Sequence, residues 1–446
     1  MKGNRSQGTY LGIFALIKRL HFYIGLFVGP FIFIAALTGT LYALAPQLEA
    51  HLYQYALRTT SHGEPQSLQN QIKAARQSLS QPLKLYAVRP SIGDGYTTRV
   101  LFSDPKYRLQ HQTVFVDPVT LAINATLPTY GTSGVLPLMT TLDFIHRGLL
   151  LGNAGRVYSE MAASWMWIAA LGGVALWYCS KQKNKKKTKS VYVKARNRHQ
   201  KTGLIILIGL LFFSATGLTW SQWAGGNIAK LRRDIGWVTP SPNMTLPKAL
   251  TGSPSVKNTS VDALFDPVLH LARASGLEAK KIEIRPSYNP TKGWFVREIH
   301  RAWPTQVDSL SVDPNTMTVT SRADFKNYPI IAKLIRWGID FHMGILFGIA
   351  NQLLLAAFGL TLCFMIILGY VMWWKRRPSM ASEKETISYI WAHLTLKSRL
   401  ITLVIAFALG IALPVLGCSL LLFMIVDLLR WKILARNIRF PLNNQA

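Results

Sequence analysis

Cysteine and acidic residues are both scarce in this sequence, and each scarcity excludes a class of protein. The 446 residues include three cysteines, which all lie in or beside apolar runs: Cys179, Cys363 and Cys418. This excludes a disulfide framework and a cysteine-rich metal site. There are 20 acidic residues against 50 Lys and Arg, which gives a formal charge of +30.

Nucleotide-binding motifs are also missing. The sequence contains neither a Gly-x-Gly-x-x-Gly between a strand and a helix nor a Walker lysine motif. The basic segments between apolar runs are too short for a flavin or nicotinamide domain. ATPases and pumps are therefore excluded, and any electron donor must be a separate cytoplasmic reductase or membrane quinol.

Half of the residues are hydrophobic, and they collect in long runs. The runs cover residues 22–45, 157–179, 203–223, 346–374 and 400–429. About 20 apolar residues are enough for a helix to cross the roughly 30 Å hydrocarbon core of a bilayer. The sequence therefore predicts a polytopic α-helical membrane protein.

Basic residues mark the ends of these runs that face the cytoplasm. Ten Lys and Arg residues lie between Lys181 and Lys201, and three more follow the fourth run at residues 375–377. Short loops rich in Lys and Arg stay in the cytoplasm. The N-terminus is thus predicted inside, with residues 46–145 and 225–335 outside. The charge indicates contact with membrane lipid and no nucleic-acid partner.

This topology divides the chain into alternating membrane and aqueous segments. The predicted segments are the N-terminus and first helix (1–45), a periplasmic α+β domain (46–145), the second helix (146–180), a basic loop (181–201), the third helix (202–224), a second periplasmic α+β domain (225–335), the fourth helix (336–375), a cytoplasmic segment (376–398) and a C-terminal membrane helix or hairpin with its tail (399–446). Pro414 and Gly417 interrupt the last run, which leaves both a single helix and a hairpin open.

Short motifs recur along the chain and indicate a tandem repeat. Three pairs keep a spacing of 196 residues: Arg89-Pro90-Ser91 with Arg285-Pro286-Ser287, Val116-Asp117-Pro118 with Val312-Asp313-Pro314, and His146-x-Gly148 with His342-x-Gly344. The helices His21–Gly39 and His199–Gly217 match at a spacing of 178 residues, and both end in Thr-Gly. The predicted fold is a four-helix core built twice from one unit, with the same orientation in both copies.

Each outer segment has the pattern of one helix followed by strands. Helices are predicted at 67–79 and 261–276, and strands near 83–89, 96–103, 111–117, 120–126, 281–286, 293–301, 306–313 and 317–320. Asp-Pro followed by threonine is typical of a tight turn between strands.

Four of the 10 histidines stand at repeat-related positions beside apolar helices. The topology places His21 and His199 at the cytoplasmic face, and His146 and His342 toward the outer face. Neutral imidazole binds haem iron, and a haem with two histidine ligands carries electrons. A lone histidine at a helix end is more often an interface residue, so the prediction of two haems depends on all four positions together.

Other residues near the histidines have alternative interpretations. Gly25, Gly39, Gly203 and Gly217 leave room for a flat macrocycle or for a neighbouring helix. Asp143 and Asp340 precede the outer histidines, where they could orient the imidazoles or cap the helices. Basic residues that could meet haem propionates are Arg19, Arg147, Arg156, Arg198 and Lys201.

These features resemble the PepSY-associated transmembrane helix family of bacterial inner-membrane proteins. The resemblance is carried by the helix from His21 to Thr38-Gly39, the turn Val116-Asp117-Pro118-x-Thr120, and His146-x-Gly148-x-x-x-Gly152, each repeated in the second half. It covers residues 15–378 and leaves the C-terminal run outside.

The resemblance implies a role in iron acquisition. Some family members are haem-containing reductases that release iron from ferric siderophores in the periplasm, so His21, His199, His146 and His342 are expected to bind two b-type haems. Arg89, Arg285 and Trp303 are candidates for contacting the substrate, although Arg-Pro-Ser equally suits a strand end. The fused flavodoxin-reductase domain of some relatives is absent.

Two other functions fit the same topology. A non-enzymatic accessory protein could use its periplasmic PepSY-like domains to bind a transport component or a protease. A transporter is the weakest alternative, because intramembrane charges are almost absent and no broken-helix pair is predicted.

Overall fold

The computed structural model describes residues 2–106, 110–181, 190–247, 260–376 and 386–439. Parts of two predicted cytoplasmic segments, 182–189 and 377–385, lie outside these ranges. The chain divides into a helical unit and a sheet unit. The helical unit is Met1–Leu41, Phe144–Ile235 and Leu354–Ala446, and the sheet unit is Tyr42–Asp143 and Gly236–Leu353.

Helices account for most of the described chain. They are α1 Lys2–Tyr23, α2 Gly29–Leu52, α3 Gln54–Leu57, α4 Leu68–Gln77, α5 Pro137–Gly148, α6 Gly152–Lys181, α7 Val191–Ile205, α8 Leu207–Thr219, α9 Ala224–Asp234, α10 Phe265–Ala274, α11 Ile330–His342, α12 Gly348–Arg376, α13 Ile387–Ala392, α14 Leu396–Ala412 and α15 Pro414–Arg439. A π-helical turn, Ile24–Val28, joins α1 to α2 without interrupting the helix.

Three helices of the described chain are long and apolar enough to cross a membrane. They are Gly12–Leu52, Gly152–Cys179 and Gly348–Arg376. The pair α7 and α8 makes a fourth span if it is counted as one. The chain is therefore a membrane-associated helical protein with three or four candidate spans.

The pair α7 and α8 is sharply bent, and this bend was not predicted. The axes of α7 and α8 differ by 62°, and Ile206 between them leaves the helical conformation. Beside the bend, the ring of Phe358 packs so closely on Gly209 that a Cβ there would overlap it. Hydropathy could not reveal the bend, because it measures how apolar a run is and not whether its backbone hydrogen bonds continue.

The second predicted span is preceded by a separate helix that carries His146. Helix α5 ends at Gly148, and Leu149, Leu150 and Gly152 all have positive φ at the corner before α6. The chain thus breaks between His146 and the span, whereas the sequence predicted one segment, the second helix, over 146–180. A Cβ on Gly155 would overlap the carbonyl oxygen of Gly148. The corner therefore depends on the close approach of these two glycines.

We expect Gly155→Ala to destabilise the helical unit by about 1–3 kcal/mol, because backbone rather than a flexible side chain blocks the new methyl group. Thermal unfolding of the detergent-solubilised protein measures the effect. Gly226→Ala is the matched control, since a Cβ at that helical position meets nothing within 4 Å. Equal melting temperatures of the two variants would contradict the prediction.

The C-terminal run is a helical hairpin, which settles the alternative that the sequence left open. Helix α14 ends at Ala412, and α15 begins at Pro414. The buried carboxylate of Asp427 accepts hydrogen bonds from the backbone N–H groups of Ile387 at 3.0 Å and Ser388 at 2.7 Å, just before α14 begins. Helix α15 therefore runs back along α14 to its starting end.

The described residues of the sheet unit form eight strands in one antiparallel sheet. They are β1 Lys84–Arg89, β2 Thr98–Ser103, β3 Gln110–Val116, β4 Ile123–Tyr130, β5 Ile282–Arg285, β6 Trp294–Glu298, β7 Ser309–Asp313 and β8 Thr318–Ala323. Their order is β4-β3-β2-β1-β5-β6-β7-β8. The two predicted groups of strands thus join through β1 and β5, where Val88 pairs with Ile284.

One face of this sheet is covered by α4 and α10. Apolar residues alternate along the strands toward this face, and they pack against Ile72 of α4 and Phe265 of α10 in a fully buried core. Both helices follow the predicted positions. The Asp-Pro turns are confirmed too, because Asp117 Oδ1 accepts from the N–H of Val119 at 2.9 Å and Asp313 Oδ1 from that of Asn315 at 2.9 Å.

Candidate functional site

Two of the four predicted ligands lie side by side in the helical unit. His21 is in the last turn of α1, and His199 is in α7. Their imidazole ring centroids are 6.4 Å apart, and the ring planes make an angle of 84°. Tertiary structure thus brings together two histidines that are 178 residues apart in the sequence.

Each of these imidazoles is anchored through Nδ1. His21 Nδ1 lies 3.0 Å from the carbonyl oxygen of Ala169, and His199 Nδ1 lies 2.9 Å from that of Met365. Because a carbonyl oxygen can only accept, Nδ1 carries the proton and Nε2 of the neutral ring keeps its lone pair. Metal-ligating histidines usually donate their second ring N–H to such a partner. Both rings therefore have the tautomer that a metal ligand requires.

The separation of the rings fits two ligands on opposite sides of one metal. Imidazole nitrogens bind metals at about 2.0–2.1 Å, which places the centroids of two opposed rings roughly 6–6.5 Å apart. The observed separation is 6.4 Å. His21 and His199 are therefore the residues that would hold the iron if a haem bound here.

Glycines surround both rings. A Cβ on Gly173 would lie 3.3 Å from His21 Cε1, and one on Gly369 would lie 3.9 Å from His199 Cε1. At Gly25, one turn after His21, a Cβ would meet nothing within 4 Å. Small residues thus keep the space beside the imidazoles clear of side chains.

The other predicted glycines serve packing. Added Cβ atoms would lie 3.2 Å from His146 Cε1 at Gly39, 3.3 Å from Met365 Sδ at Gly203 and 3.1 Å from Ala163 Cβ at Gly217. Gly173 and Gly369 were missed because they lie outside the repeated motifs, where a glycine in an apolar run signals only close helix packing.

His146 has the same type of anchor as the inner pair. The Thr38 hydroxyl donates to the carbonyl oxygen of Ile34 at 2.7 Å, so its oxygen can accept from His146 Nδ1 at 3.1 Å. The Tyr158 hydroxyl donates to the backbone carbonyl oxygen of His146 at 3.0 Å. The Thr-Gly end of the first span thus helps to position this imidazole.

His342 is the last residue of α11 and belongs to the sheet unit, whereas His146 belongs to the helical unit. The carboxylate of Asp340, predicted to orient an imidazole or cap a helix, is buried and paired with two guanidiniums. Arg301 Nε donates to Oδ1 at 2.7 Å, and Arg336 Nε lies 2.9 Å from Oδ2. Asp340 therefore anchors the end of α11 through arginines, which short sequence spacing could not show.

Three of the five basic residues predicted to meet propionates have protein contacts. The guanidinium of Arg19 lies 5.4 Å from the ring centroid of Phe22, and Arg156 donates to the carbonyl oxygen of Trp220. Arg147 lies 5.9 Å from the ring centroid of Phe144. A role in holding propionates stays a prediction for all of them.

The candidate substrate residues lie in the sheet unit. Arg89 and Arg285 are the last residues of β1 and β5, and both bind the buried carboxylate of Glu283. Trp303 is 57% exposed, and its ring centroid lies 5.7 Å from that of Trp337. Sequence analysis missed Glu283, because an isolated acidic residue in a strand gives no signal of three basic partners.

Comparison with known proteins agrees with the resemblance. A family model described as the PepSY-associated TM region matches residues 18–376. This range is close to the one inferred from the repeated histidine and Asp-Pro motifs. No curated protein matches the chain.

Proposed function

The chain belongs to the PepSY-associated TM family, and from this premise we propose that it is a haem-containing membrane oxidoreductase that reduces a ferric chelate. The observation that carries the proposal is the inner histidine pair. Two imidazoles with ring centroids 6.4 Å apart each donate through Nδ1 to a backbone carbonyl oxygen, so Nε2 of each ring keeps the lone pair that a metal would need.

The chain's own residues hold and orient the proposed haems. His21 and His199 are the ligands of the inner one, and Ala169 and Met365 set their tautomers. A haem with two histidine ligands supplies one-electron transfer and has no open position for oxygen. Because two histidines saturate the iron, the substrate is expected to receive electrons without binding to the haem iron.

A second haem site is proposed for the outer histidines. The support is the repeat, in which His146 and His342 occupy equivalent positions 196 residues apart. The Thr38 contact of His146 adds to it, since Nδ1 is held as in the inner pair. Two haems, one toward each face, would form an electron path across the bilayer.

The finer architecture is part of the same proposal. Both halves of the sheet have the same strand order outward from β1 and β5, which supports two PepSY-like domains in tandem. Basic residues near the ends of the spans support a bacterial inner-membrane location, with the N-terminus in the cytoplasm and both sheet segments in the periplasm.

The orientation of the chain in the membrane indicates the electron donor and the electron acceptor. Electrons come from a cytoplasmic reductase or membrane quinol, and they leave to a ferric siderophore in the periplasm. Hard oxygen donors hold Fe(II) more weakly than Fe(III), so reduction by one electron frees the iron.

A haem determination on the purified protein tests the proposal. We expect about two b-type haems per chain, because two pairs of histidines are available. A pyridine haemochrome assay gives the number, and the Soret band should shift on reduction with dithionite. A protein without haem, after expression with sufficient haem supply, would overturn the proposal in favour of an accessory protein that binds a transport or protease partner.

A further inference from the structure

The sheet has a second face, opposite α4 and α10, that carries a concentration of positive charge. Strand alternation places Arg89 of β1 and Arg99 of β2 there, and these two residues are paired in register. The same face holds Arg285 of β5 and Arg297 of β6, with Lys281 just before β5. We call these five residues the cationic face.

One buried carboxylate lies among these cations. Glu283 binds Arg89 at 2.7 Å, Arg285 at 2.9 Å and Arg297 at 2.6 Å, and its side chain is 1% exposed. A single carboxylate neutralises one of the three guanidiniums. The face therefore keeps a large positive excess that its own ion pairs do not balance.

The further hydrogen bonds of Arg99 and Arg89 are with neutral groups. Arg99 Nη1 donates to the carbonyl oxygen of Gly134 at 3.1 Å, and its guanidinium lies 5.5 Å from the ring centroid of Phe115. Arg89 donates to the carbonyl oxygens of Thr132 and Ser133 at 3.1 Å each. These contacts satisfy hydrogen bonds without supplying negative charge. Glu49 is the other carboxylate that acts on Arg99.

The positive charge also acts on neighbouring ionisable groups. Burial and the proximity of Arg89 lower the pKa of Arg99 to about 10, although Glu49 opposes the shift. Burial and repulsion by Arg99 and Arg89 lower the pKa of Lys281. Burial and Arg285 lower the pKa of His111. Burial is the largest cause of each shift, and repulsion by neighbouring arginines adds to it, as expected where the field attracts an anion.

The exposed end of the cationic face carries groups that are suited to binding an anion. Arg285 is 32% exposed, and its guanidinium lies 4.4 Å from the ring centroid of Tyr86. Tyr86 is itself stacked on His111 at 3.7 Å. Arginines on aromatic rings present planar donors that match the paired oxygens of carboxylates and similar anions. The other end of the face is covered by the carbonyls of residues 132–134.

We infer that the cationic face binds the ferric chelate and selects one with net negative charge, such as a carboxylate or catecholate complex. Arg285 and Arg297 contact the ligand. Arg89 and Arg99, which are more deeply buried, attract it electrostatically. Glu283 keeps the guanidiniums in place. The inference rests on the proposed function, because the reductase gives a reason for a ferric chelate at this sheet.

Binding of two iron probes to the full-length protein in detergent tests the inference. Ferric citrate is the anionic probe, and the neutral ferric tris-acetohydroxamate complex is its comparison. We expect saturable binding of ferric citrate that weakens with salt and is much tighter than binding of the neutral complex. Arg285→Gln should weaken it about ten-fold to a hundred-fold, as for loss of a charged hydrogen bond. Arg285→Lys should retain more of the affinity because the charge remains.

The matched control is Arg322→Gln. Arg322 is 34% exposed and paired with Asp308 and Asp324, yet it lies on edge strand β8, away from the cationic face. Its loss should leave binding unchanged. Equal affinity for the two probes, or equal losses in both glutamine variants, would overturn the inference.

A haem assay on the same samples separates the two proposals. Haem without selective anion binding would be consistent with the proposed reductase function and would reject the cationic face as the chelate site. Anion binding without haem would reject the reductase and, with it, the reason for assigning a ferric ligand to this face.

Discussion

Replacing His199 by alanine is expected to remove about half of the haem from the protein, because the inner iron loses one of its two imidazole ligands. The same loss is expected for His21→Ala, since the two rings lie 6.4 Å apart and serve one site. The double variant should lose no more than either single variant. Haem per chain, measured by pyridine haemochrome, and the low-spin electron paramagnetic resonance signals give the result.

Two kinds of variant control this experiment. His393→Ala removes an exposed imidazole bound to the carbonyl oxygen of Tyr389, and it should leave the haem content unchanged. His146→Ala should spare the inner haem and remove the outer signal. If His21→Ala and His199→Ala abolished different signals, the two residues would not share a haem, and the proposed pairing would be wrong.

Glu283→Gln is expected to destabilise the sheet unit by about 3–5 kcal/mol, the range observed when one partner of a buried ion pair is removed. Glutamine fills the same space but leaves three guanidiniums, including the buried Arg89, without their shared counter-charge. Hydrogen exchange of β1, β5 and β6 in the full-length protein measures the loss locally. Glu278→Gln, at an exposed position near the same strand, should have little effect.

The same carboxylate predicts how stability depends on pH. Burial alone would raise the pKa of Glu283, but Arg89, Arg297 and Arg285 outweigh it and lower the pKa to about 2. Its ordinary value is 4.5, so the unfolded chain takes up the proton first. The stabilisation is complete above about pH 4.5 and is lost as the pH falls toward 2. In Glu283→Gln this part of the pH dependence should disappear, and an unchanged slope would refute the role assigned to the carboxylate.

Local features of this protein could be predicted from sequence because their causes lie within short stretches. The apolar runs specify spans, since a helix must satisfy its own backbone groups in lipid. Alternating apolar residues specify the strands, and Asp117 and Asp313 make their turns with N–H groups two residues away. Ser67 caps the start of α4, because its hydroxyl accepts from the N–H of Asn70.

Contacts between distant stretches were decided only by tertiary structure. The junction of β1 and β5 joins two groups of strands into one sheet, and no local pattern states which edges will meet. Asp427 turns the last run into a hairpin by accepting from residues about 40 positions earlier. The 62° bend at Ile206 likewise has no signal in how apolar the run is.

The candidate sites divide in the same way. Repetition singled out His21 and His199, because residue identity and spacing are written in the sequence. Their tautomers depend on the carbonyls of Ala169 and Met365, which belong to other helices. Glu283 had no sequence signal at all, since its environment consists of Arg89 from one half of the chain and Arg285 and Arg297 from the other. Sequence by itself determined which residues can bind a metal or an anion. Only the fold decided which of these residues share a site, because charge balance and ring orientation depend on contacts between residues far apart in the sequence.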